Sequence, residues 1–388
     1  MFRFYFQIII LRLSELFCYY THLYLRRQFA KQDFLKKKSK ITPLTDTQKK
    51  EIIEFWKPFY SDIKKELHWF EFYNSFCDNK ENLKYYIPDS IYYSIIDLYH
   101  TNPVRAIHID DKNLYDLFFH GVKLPYTIVR KSNGLLLNSQ YQPITAEQAL
   151  KLCKSYKSVI AKESVDSVGG KGIRFFDFES TTDQEFIDWL DSSTELTIQE
   201  VIQQHSSLAK IHENSINTIR IITLMIDGTL HVLSSVVRMG VGKARVDNAS
   251  SGGIVCGIDK NGCLKEYAYN IKGERWSQHP QGAIFKGIPI EGYKLCVEQA
   301  KSLVGRINGI SRLISWDFAI GADGNPILIE VNLAFGQVDF HQMCNGPIFQ
   351  ELTDEQMRKV IQESMQSRHP LRKTIKRCIR RMRHKEQN

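Results

Sequence analysis

The stretch "WDFAIGADGNPILIEVN", from Trp316 to Asn332, predicts two β-strands joined by a tight turn. The first strand carries Asp317 among apolar neighbours, and the second ends with Glu330 and Asn332. Successive side chains of a strand point to opposite faces, so Glu330 and Asn332 share one face. A buried carboxylate without a partner is costly. We therefore expect a cationic group between these three side chains.

The chemistry of this hairpin indicates which cation it would bind. Asp317, Glu330 and Asn332 offer only oxygen ligands, and hard oxygen donors without His or Cys favour Mg²⁺ or Mn²⁺ over zinc. Magnesium commonly binds through a few carboxylates together with the phosphates of a substrate. The hairpin therefore predicts a metal ion that bridges the protein to a nucleotide.

Two arginines precede the hairpin inside apolar strands. The segment "NTIRIITL" contains Arg220, and "VVRMGVGKARVDNASSGGIV" contains Arg238, followed by Asn248. Arginine is rarely buried unless it is paired. Two such arginines at the ends of neighbouring strands, facing a pair of carboxylates, predict a polyanion that is bound with its metal.

A glycine-rich segment, "VIAKESVDSVGGKGIRFF", follows a strand that contains Lys162. The strand–GxxxxGK[ST]–helix order of a P-loop is missing. The backbone amides of the tip could close over phosphates, or the segment could be no more than a turn. The residues of the tip are Ser167, Gly169, Gly170, Lys171 and Gly172.

Composition and charge restrict the class of protein. The chain has 388 residues, enough for two or three domains, and its eight scattered cysteines favour a reducing cytoplasm over a disulfide scaffold or a structural zinc site. The net charge of +9 is divided into +7 for residues 1–40, +8 for residues 368–388 and −6 for the remainder. An acidic body argues against a nucleic-acid partner. The basic ends predict contact with an anionic membrane surface.

The order of elements predicts an α+β fold with antiparallel sheets. Residues 46–100 have helical patterns, whereas turn signals at Asn133-Gly134 and Asp227-Gly228 predict hairpins. We predict a helical N-terminal region over residues 1–98, a subdomain with the glycine loop over 99–199, a second subdomain over 200–365, and a basic tail over 366–388.

Both termini leave two interpretations open. The first twenty residues are apolar, but their uninterrupted run is too short to span a membrane and they lack a signal-peptide cleavage site. They would form a helix that packs on the body or one that lies in a membrane interface. The tail segment "LRKTIKRCIRRMRHKE" predicts a basic amphipathic helix, which would bind a membrane surface or stay solvated.

In their order and spacing, these motifs resemble those of the ATP-grasp superfamily over roughly residues 120–345. The segment "VRMGVGKARVDNASSGGI" with "QEVI" is similar to the glutamate ligases of that superfamily. The segments "QHSSLAKIHENSINTIRIITL" and "RVDNASSGGI" and the hairpin resemble the sugar-transfer associated ATP-grasp family, which is linked with exopolysaccharide and capsule assembly. The resemblance implies two α+β subdomains that grip ATP.

The resemblance also implies contacts with the nucleotide. Lys162 would contact the α- or β-phosphate, and the 167–172 loop would cover the phosphates. The backbone groups of Glu200 and Ile202, with Val201 between them, would meet the adenine. Without the resemblance, "TIQEVIQQH" would be interpreted only as a core strand.

The remaining motifs would carry the chemistry. The resemblance implies that Arg220 and Arg238 hold the γ-phosphate and the acyl-phosphate made from it, while Asn248 supports the phosphate or metal shell. Asp317, Glu330 and Asn332 would hold one or two Mg²⁺ (or Mn²⁺) ions.

Two features depart from the pattern of the superfamily. Ligases often continue "EVN" with a Pro-Gly turn, but this chain has Ala334-Phe335-Gly336. A second, upstream phosphate-binding lysine is not obvious, and either Arg130 or Lys131 could take its place.

The implied function is an ATP-dependent ligase in the cytoplasm, and its basic ends predict peripheral contact with the inner face of the membrane. It would join a small-molecule carboxylate to an amine or a sugar-linked acceptor. The rival interpretations are a nucleotide-binding regulator of polysaccharide assembly and an ATP-grasp sugar kinase. No Ser-His-Asp or Cys-His set stands out, and His205 and His341 would be structural or would contact a substrate.

Overall fold

The structure, a computed structural model, describes residues 2–37, 41–101, 103–165 and 172–366. It contains two antiparallel sheets and a helical N-terminal region, which confirms the predicted α+β class. The helices before the first strand are α1 (Phe2–Lys37), α2 (Asp46–Trp56), α3 (Leu67–Tyr73), α4 (Asp89–Ile91), α5 (Asp97–His100), α6 (Pro103–Asp110) and α7 (Tyr115–Phe118), with a π-helical turn at Tyr92–Ile96.

The small sheet has five strands in the order β2-β1-β5-β3-β4. The predicted Asn133-Gly134 turn joins β1 to β2, and both residues have positive φ (48° and 81°), as this tight hairpin requires. One face packs on two helices, α8 (Ala146–Lys154) and α9 (Asp183–Asp191). The strands are β1 (Thr127–Ser132), β2 (Leu135–Asn138), β3 (Ser158–Glu163), β4 (Arg174–Asp177) and β5 (Leu196–Glu200).

The large sheet has seven strands in the order β10-β9-β8-β7-β6-β11-β12. The predicted Asp227-Gly228 turn joins β6 to β7, and the hairpin with the two carboxylates forms β11 and β12. The strands are β6 (Thr218–Ile226), β7 (Thr229–Met239), β8 (Ile254–Ile258), β9 (Leu264–Tyr269), β10 (Arg275–Trp276), β11 (Leu313–Ile320) and β12 (Pro326–Asn332).

The two faces of the large sheet are covered by different helices. One face packs on α6, α10 (Ser206–Ala209) and α11 (Tyr293–Ile307). The other face packs on α12 (Val338–Asn345), α13 (Asp354–Gln366) and the N-terminal helices α1–α4. We call this second set of helices the helical layer. Trp56, Trp69 and Phe340 of the layer belong to the same buried cluster as Ile222 and Leu224 of β6.

The strand register places a row of charged side chains beside the helical layer. Arg220 alternates with Ile222 and Leu224 along β6, so all three point to the face that the layer covers. Asp317 lies directly opposite both Arg220 and Glu330, and opposed residues of antiparallel strands share a face. The predicted domain boundaries at residues 98, 199 and 365 remain a prediction.

We predict that Trp316→Ala lowers the free energy of unfolding by about 3–5 kcal/mol. Trp316 is completely buried in β11, and its Nε1 donates to Thr223 Oγ1 at 2.9 Å, so the variant opens a cavity and removes a buried hydrogen bond. Denaturant unfolding followed by circular dichroism measures the loss. Ile284→Ala, at a side chain that is 65% exposed, is the control, and equal losses in both variants would contradict the prediction.

Candidate active site

Asp317 is the centre of a buried network of charges. Its Oδ1 accepts a hydrogen bond from Arg220 Nε and its Oδ2 accepts one from Arg220 Nη2, both at 2.6 Å. Arg238 Nη1 donates to the same Oδ2 at 3.0 Å. Burial alone would lower the pKa of Arg220, but the Asp317 carboxylate raises it. Arg220 therefore stays charged, and Arg238 lies beside it at the same end of the large sheet.

Arg238 also orders the loop between β7 and β8. Its Nη2 donates to Asn248 Oδ1 and, at 3.3 Å, to Asp247 Oδ1. The loop then turns back so closely that a Cβ on Gly253 would lie 2.4 Å from the Asp247 carbonyl oxygen. The "DNASSGG" segment thus needs a glycine to bring Asn248 beside Arg238.

Lys112, which lies ahead of β1 in the sequence, faces the carboxylate of Glu330. Its Nζ lies 2.8 Å from Glu330 Oε1, and the lysine is buried. Burial would raise the pKa of Glu330, but Lys112, Arg220 and Lys162 together lower it to about 2. Glu330 is therefore an anion at any physiological pH.

Lys162 is a second buried cation at this place, and the small sheet supplies it. It is only 7% exposed, and within the residues that the structure describes no hydrogen bond or ion pair involves its ammonium group. Burial and the nearby Lys112 lower the pKa of Lys162 to about 8, against the attraction of Glu330. These two neighbouring lysines are candidates for binding an anion.

The structure gives Arg130 and Lys131 other partners. Arg130 donates to backbone carbonyl groups and pairs with Asp116 at 2.5 Å. Lys131 lies on the opposite face of β1, where its Nζ donates to the Leu190 carbonyl oxygen at 2.6 Å. The cation beside Lys162 is instead Lys112. The sequence analysis missed it, although the isolated lysine in "DDKNLYDLFF" was a visible signal.

The segment predicted to meet adenine lies at the end of β5. Glu200, Val201 and Ile202 are all half-buried. The Glu200 N–H donates to the Tyr126 carbonyl oxygen at 3.0 Å, so an adenine contact at this residue would have to use its carbonyl group.

Most of the predicted glycine loop lies outside the described residues, namely Ser167, Gly169, Gly170 and Lys171. Gly172 is described and has a φ of 80°, a conformation that favours glycine. The phosphate contacts expected of this loop remain a prediction.

The oxygen-only donor set of the hairpin fits Mg²⁺ or Mn²⁺. Asp317 and Glu330 are opposed in register, and Asn332 Nδ2 lies 3.5 Å from Asp317 Oδ2. Both Asp317 oxygens already accept hydrogen bonds from arginine. A metal ion would therefore share this carboxylate with Arg220 and Arg238 and take its other ligands from Glu330 and Asn332.

The segment after the hairpin is held from two sides. Phe335 and Gln337 have positive φ (56° and 58°), which is uncommon for residues other than glycine. Gln337 Oε1 accepts a hydrogen bond from Arg220 Nη1 at 2.7 Å, and the Phe335 N–H donates to Asp97 Oδ2 at 3.0 Å. This segment therefore connects Arg220 of β6 to Asp97 of α5.

Neither histidine singled out in the sequence is placed as a general base. His341 is fully buried, its Nδ1 lies 2.8 Å from Ser234 Oγ, and burial together with Arg220 lowers its pKa to about 3. His205 caps the start of α10, where its Nδ1 accepts from the Ser207 N–H at 3.3 Å. Both contacts fit a structural role.

One contact joins the loop after β7 to the small sheet. The Arg245 guanidinium carbon lies 3.7 Å from the centre of the Phe175 ring on β4, a cation–π geometry. Since Arg245 shares its loop with Asn248, this contact ties the small sheet to the charged end of the large sheet.

Comparison with known proteins assigns the chain to a family. The family described as sugar-transfer associated ATP-grasp matches residues 98–357. Among curated proteins, none shows significant similarity to the chain.

Solved structures give distant matches. They include D-alanyl-alanine synthetase A from Vibrio cholerae O1 biovar eltor (TM-score 0.41, 11% identity, 68% of this chain and 66% of that one). An L-amino acid ligase from Bacillus licheniformis matches with TM-score 0.38 and 14% identity over 67% of this chain and 48% of that one. VanG D-Ala:D-Ser ligase from Enterococcus faecalis matches with TM-score 0.40 and 15% identity over 67% and 62%. The match spans less than two thirds of each of these proteins.

We predict that the contribution of Lys162 to the stability of the unliganded protein rises as the pH is raised from about 8 to 10.5, the folded and ordinary pKa values of Lys162, so that the stability advantage of Lys162→Met over the wild type shrinks across this window. In this window the unfolded chain binds the lysine proton and the folded chain does not, so raising the pH favours folding. Lys162→Met should abolish this rise and stabilise the protein at neutral pH.

Denaturant midpoints measured across this pH window test the prediction. The control is Lys151→Met, at an exposed lysine of α8. An unchanged pH dependence in Lys162→Met would show that the lysine is not held in an unfavourable environment.

Proposed function

Because the chain belongs to the sugar-transfer associated ATP-grasp family, we propose that it is an ATP- and Mg²⁺-dependent ligase acting through an acyl-phosphate. The observation that carries this proposal is the buried lysine pair, Lys112 and Lys162, beside Glu330. Among the described residues, no hydrogen bond or ion pair involves Lys162 Nζ. The phosphates of ATP would supply the anionic oxygens that Lys162 lacks.

In the proposed reaction, a carboxylate oxygen of the substrate attacks the γ-phosphorus of ATP. The bond from that phosphorus to the bridging oxygen breaks, and ADP leaves. An amine or another nucleophile then attacks the acyl carbon, loses its proton, and displaces inorganic phosphate. Positioning and charge neutralisation account for most of the catalysis in such transfers, so the protein needs no nucleophile of its own.

Residues from both sheets would contribute to phosphate binding and to charge stabilisation. Lys112 and Lys162 would bind phosphate oxygens, and Arg220 and Arg238 would stabilise charge that develops on the transferred phosphoryl group. The small sheet would cover the reacting groups and exclude water. When bound by the hairpin carboxylates, Mg²⁺ would supply further positive charge at the phosphates.

For the substrates, we propose a small-molecule carboxylate and an amine or sugar-linked acceptor, in the cytoplasmic steps of exopolysaccharide or capsule synthesis. The family name supports this choice. Release of ADP and phosphate should be screened with amino acids paired with uronic acids. A ligase releases ADP only when both the carboxylate and the nucleophile are present. A phosphorylated sugar would indicate a kinase, and nucleotide binding without turnover would indicate a regulator.

We also propose that the basic ends make peripheral contact with an acidic membrane surface at the inner face. The charges of +7 and +8 at the ends and −6 elsewhere support this contact. Among the described residues, no helix is long and apolar enough to cross a membrane. The predicted amphipathic tail lies outside the described residues.

We predict that Glu330→Gln abolishes the Mg²⁺-dependent part of ATP affinity. The change keeps the shape of the side chain and removes its negative charge. Lys112 therefore keeps a hydrogen-bond acceptor, while the metal loses an anionic ligand. Calorimetric titration with ATP, with and without Mg²⁺, measures the effect. The control is Glu266→Gln, because Glu266 pairs with Lys286 at 3.0 Å on the surface. Wild-type metal dependence in a folded Glu330→Gln protein would disprove the metal assignment.

We predict that Arg238→Ala folds and binds nucleotide but turns over roughly 10²–10³-fold more slowly, as expected when one group that stabilises the transition state is removed. The fold should survive because Asp317 keeps its bidentate pair with Arg220. The comparison variant is Arg174→Ala, at an ion-paired arginine of β4 that is 40% exposed. An Arg238→Ala enzyme with normal kcat would exclude the role.

We predict that a chain ending at Gln366 binds acidic liposomes more weakly than the full chain at low salt. Each cationic residue near an anionic surface contributes about 1 kcal/mol, and salt screens this attraction. Flotation with acidic and neutral lipids at low and high salt measures binding. If the full chain floats equally poorly with both lipids at low salt, the basic ends do not bind membranes.

A further inference from the structure

The inner face of α1 buries charged side chains, next to Phe34, which packs against Trp69. Arg26, Ala30, Asp33 and Lys37 are the buried residues of its C-terminal half. Their spacing of three or four residues places them on one side of the helix. Three of the four are charged, whereas an ordinary surface helix turns an apolar stripe towards the core.

The outer face of α1 carries most of its large exposed apolar side chains, with the polar Thr21, Gln28 and Lys31 between them. Phe17 is 76% exposed and Tyr24 is 62% exposed. At 3.6 residues per turn, roughly, these side chains lie opposite the buried charges. The large exposed apolar side chains on this outer face are Ile10, Leu13, Phe17, Tyr20, Tyr24 and Leu35.

Buried ion pairs hold the helix in this orientation. Arg26 Nη1 lies 3.1 Å from Asp97 Oδ2, and Lys37 Nζ lies 3.1 Å from Asp339 Oδ2 on α12. Lys37 also donates to Asp33. Turning the outer face inward would leave these charges without partners, which is strongly unfavourable. The structure therefore turns several large apolar side chains of α1 outward, and exposed apolar side chains grouped on one face mark interaction sites.

We propose that the outer face of α1 docks on a lipid bilayer that contains anionic lipids. The charges around this face fit such a partner. Among the charged side chains of α1 whose exposure the structure describes, the exposed ones are Arg27, Lys31 and Lys36, all cationic. A second copy of the helix would bring like charges together, whereas an anionic bilayer attracts them. Phe and Tyr side chains suit the boundary between headgroups and acyl chains.

Helix α13, the last described element, lies in the same helical layer as α1. Helices α1 and α13 both pack against the π-helical turn at Tyr92–Ile96. The basic segment that follows Gln366 therefore starts from the helical layer that carries α1. This inference refines the membrane contact proposed above and is independent of the ligase chemistry.

Vesicle flotation of the full chain tests the inference, with vesicles of phosphatidylcholine alone and of phosphatidylcholine with an equal part of phosphatidylglycerol. The test variant combines Phe17→Ser with Tyr24→Ser. The matched control combines Leu117→Ser with Ile284→Ser, at side chains that are 60% and 65% exposed on other elements. Circular dichroism and nucleotide affinity verify that each variant is folded.

The test variant should partition into the mixed vesicles at least about tenfold less than wild type, since it removes two large apolar side chains from the contact. The control should bind as wild type does. Three outcomes would overturn the inference: no binding of the wild type to the mixed vesicles, equal binding by the test variant, or a wild-type dimer in light scattering that only the test variant dissociates. The last would identify a second copy of the chain as the partner. Failure here would leave the ADP assay unaffected, so the two proposals fail separately.

Discussion

The bidentate pair between Arg220 and Asp317 is the contact on which the charged end of the large sheet depends. It joins β6 to β11 at directly opposed positions, and its second carboxylate oxygen also orients Arg238. A carboxylate in this position is tolerated because Arg220 pairs with both of its oxygens. If Asp317 were lost, Arg220 would lose its bidentate partner, and among the described residues Arg238 would keep only Asp247 as a paired carboxylate. The pair thus determines the positions of both guanidinium groups at this end of the sheet.

The two sheets contribute cations of different character. The arginines of the large sheet are fixed by side-chain acceptors before any ligand arrives. Lys162 of the small sheet has no hydrogen-bond acceptor among the described residues. Burial and the neighbouring Lys112 lower its pKa. One sheet is therefore pre-organised, whereas the other gains stability when an anion enters. This difference suits a cleft that closes over its substrate.

Local patterns in the sequence predicted the hairpins, the fold class and the family, because turn chemistry and strand alternation act between near neighbours. Lys112 could not be found in this way, since only the tertiary fold brings a residue ahead of β1 next to Glu330 on β12. The side of α1 that is buried could not be predicted from the sequence for the same reason. Its sequence is apolar on most sides, and distant partners, Asp97 and Asp339, determine which side is buried. The Phe335–Gln337 backbone likewise depends on Arg220 and Asp97 rather than on its own residue types.

The buried charges of α1 extend beyond the residues that the family match covers. The match begins at residue 98, yet Lys37 pairs with Asp339 and Asp97 accepts the Phe335 N–H. A fragment cut to the limits of the match would leave Asp339 without Lys37 and the Phe335 N–H without its acceptor, a few residues after β12. The residues shared with the family are therefore not the whole of the cooperative unit, since partners of their buried charges lie outside them.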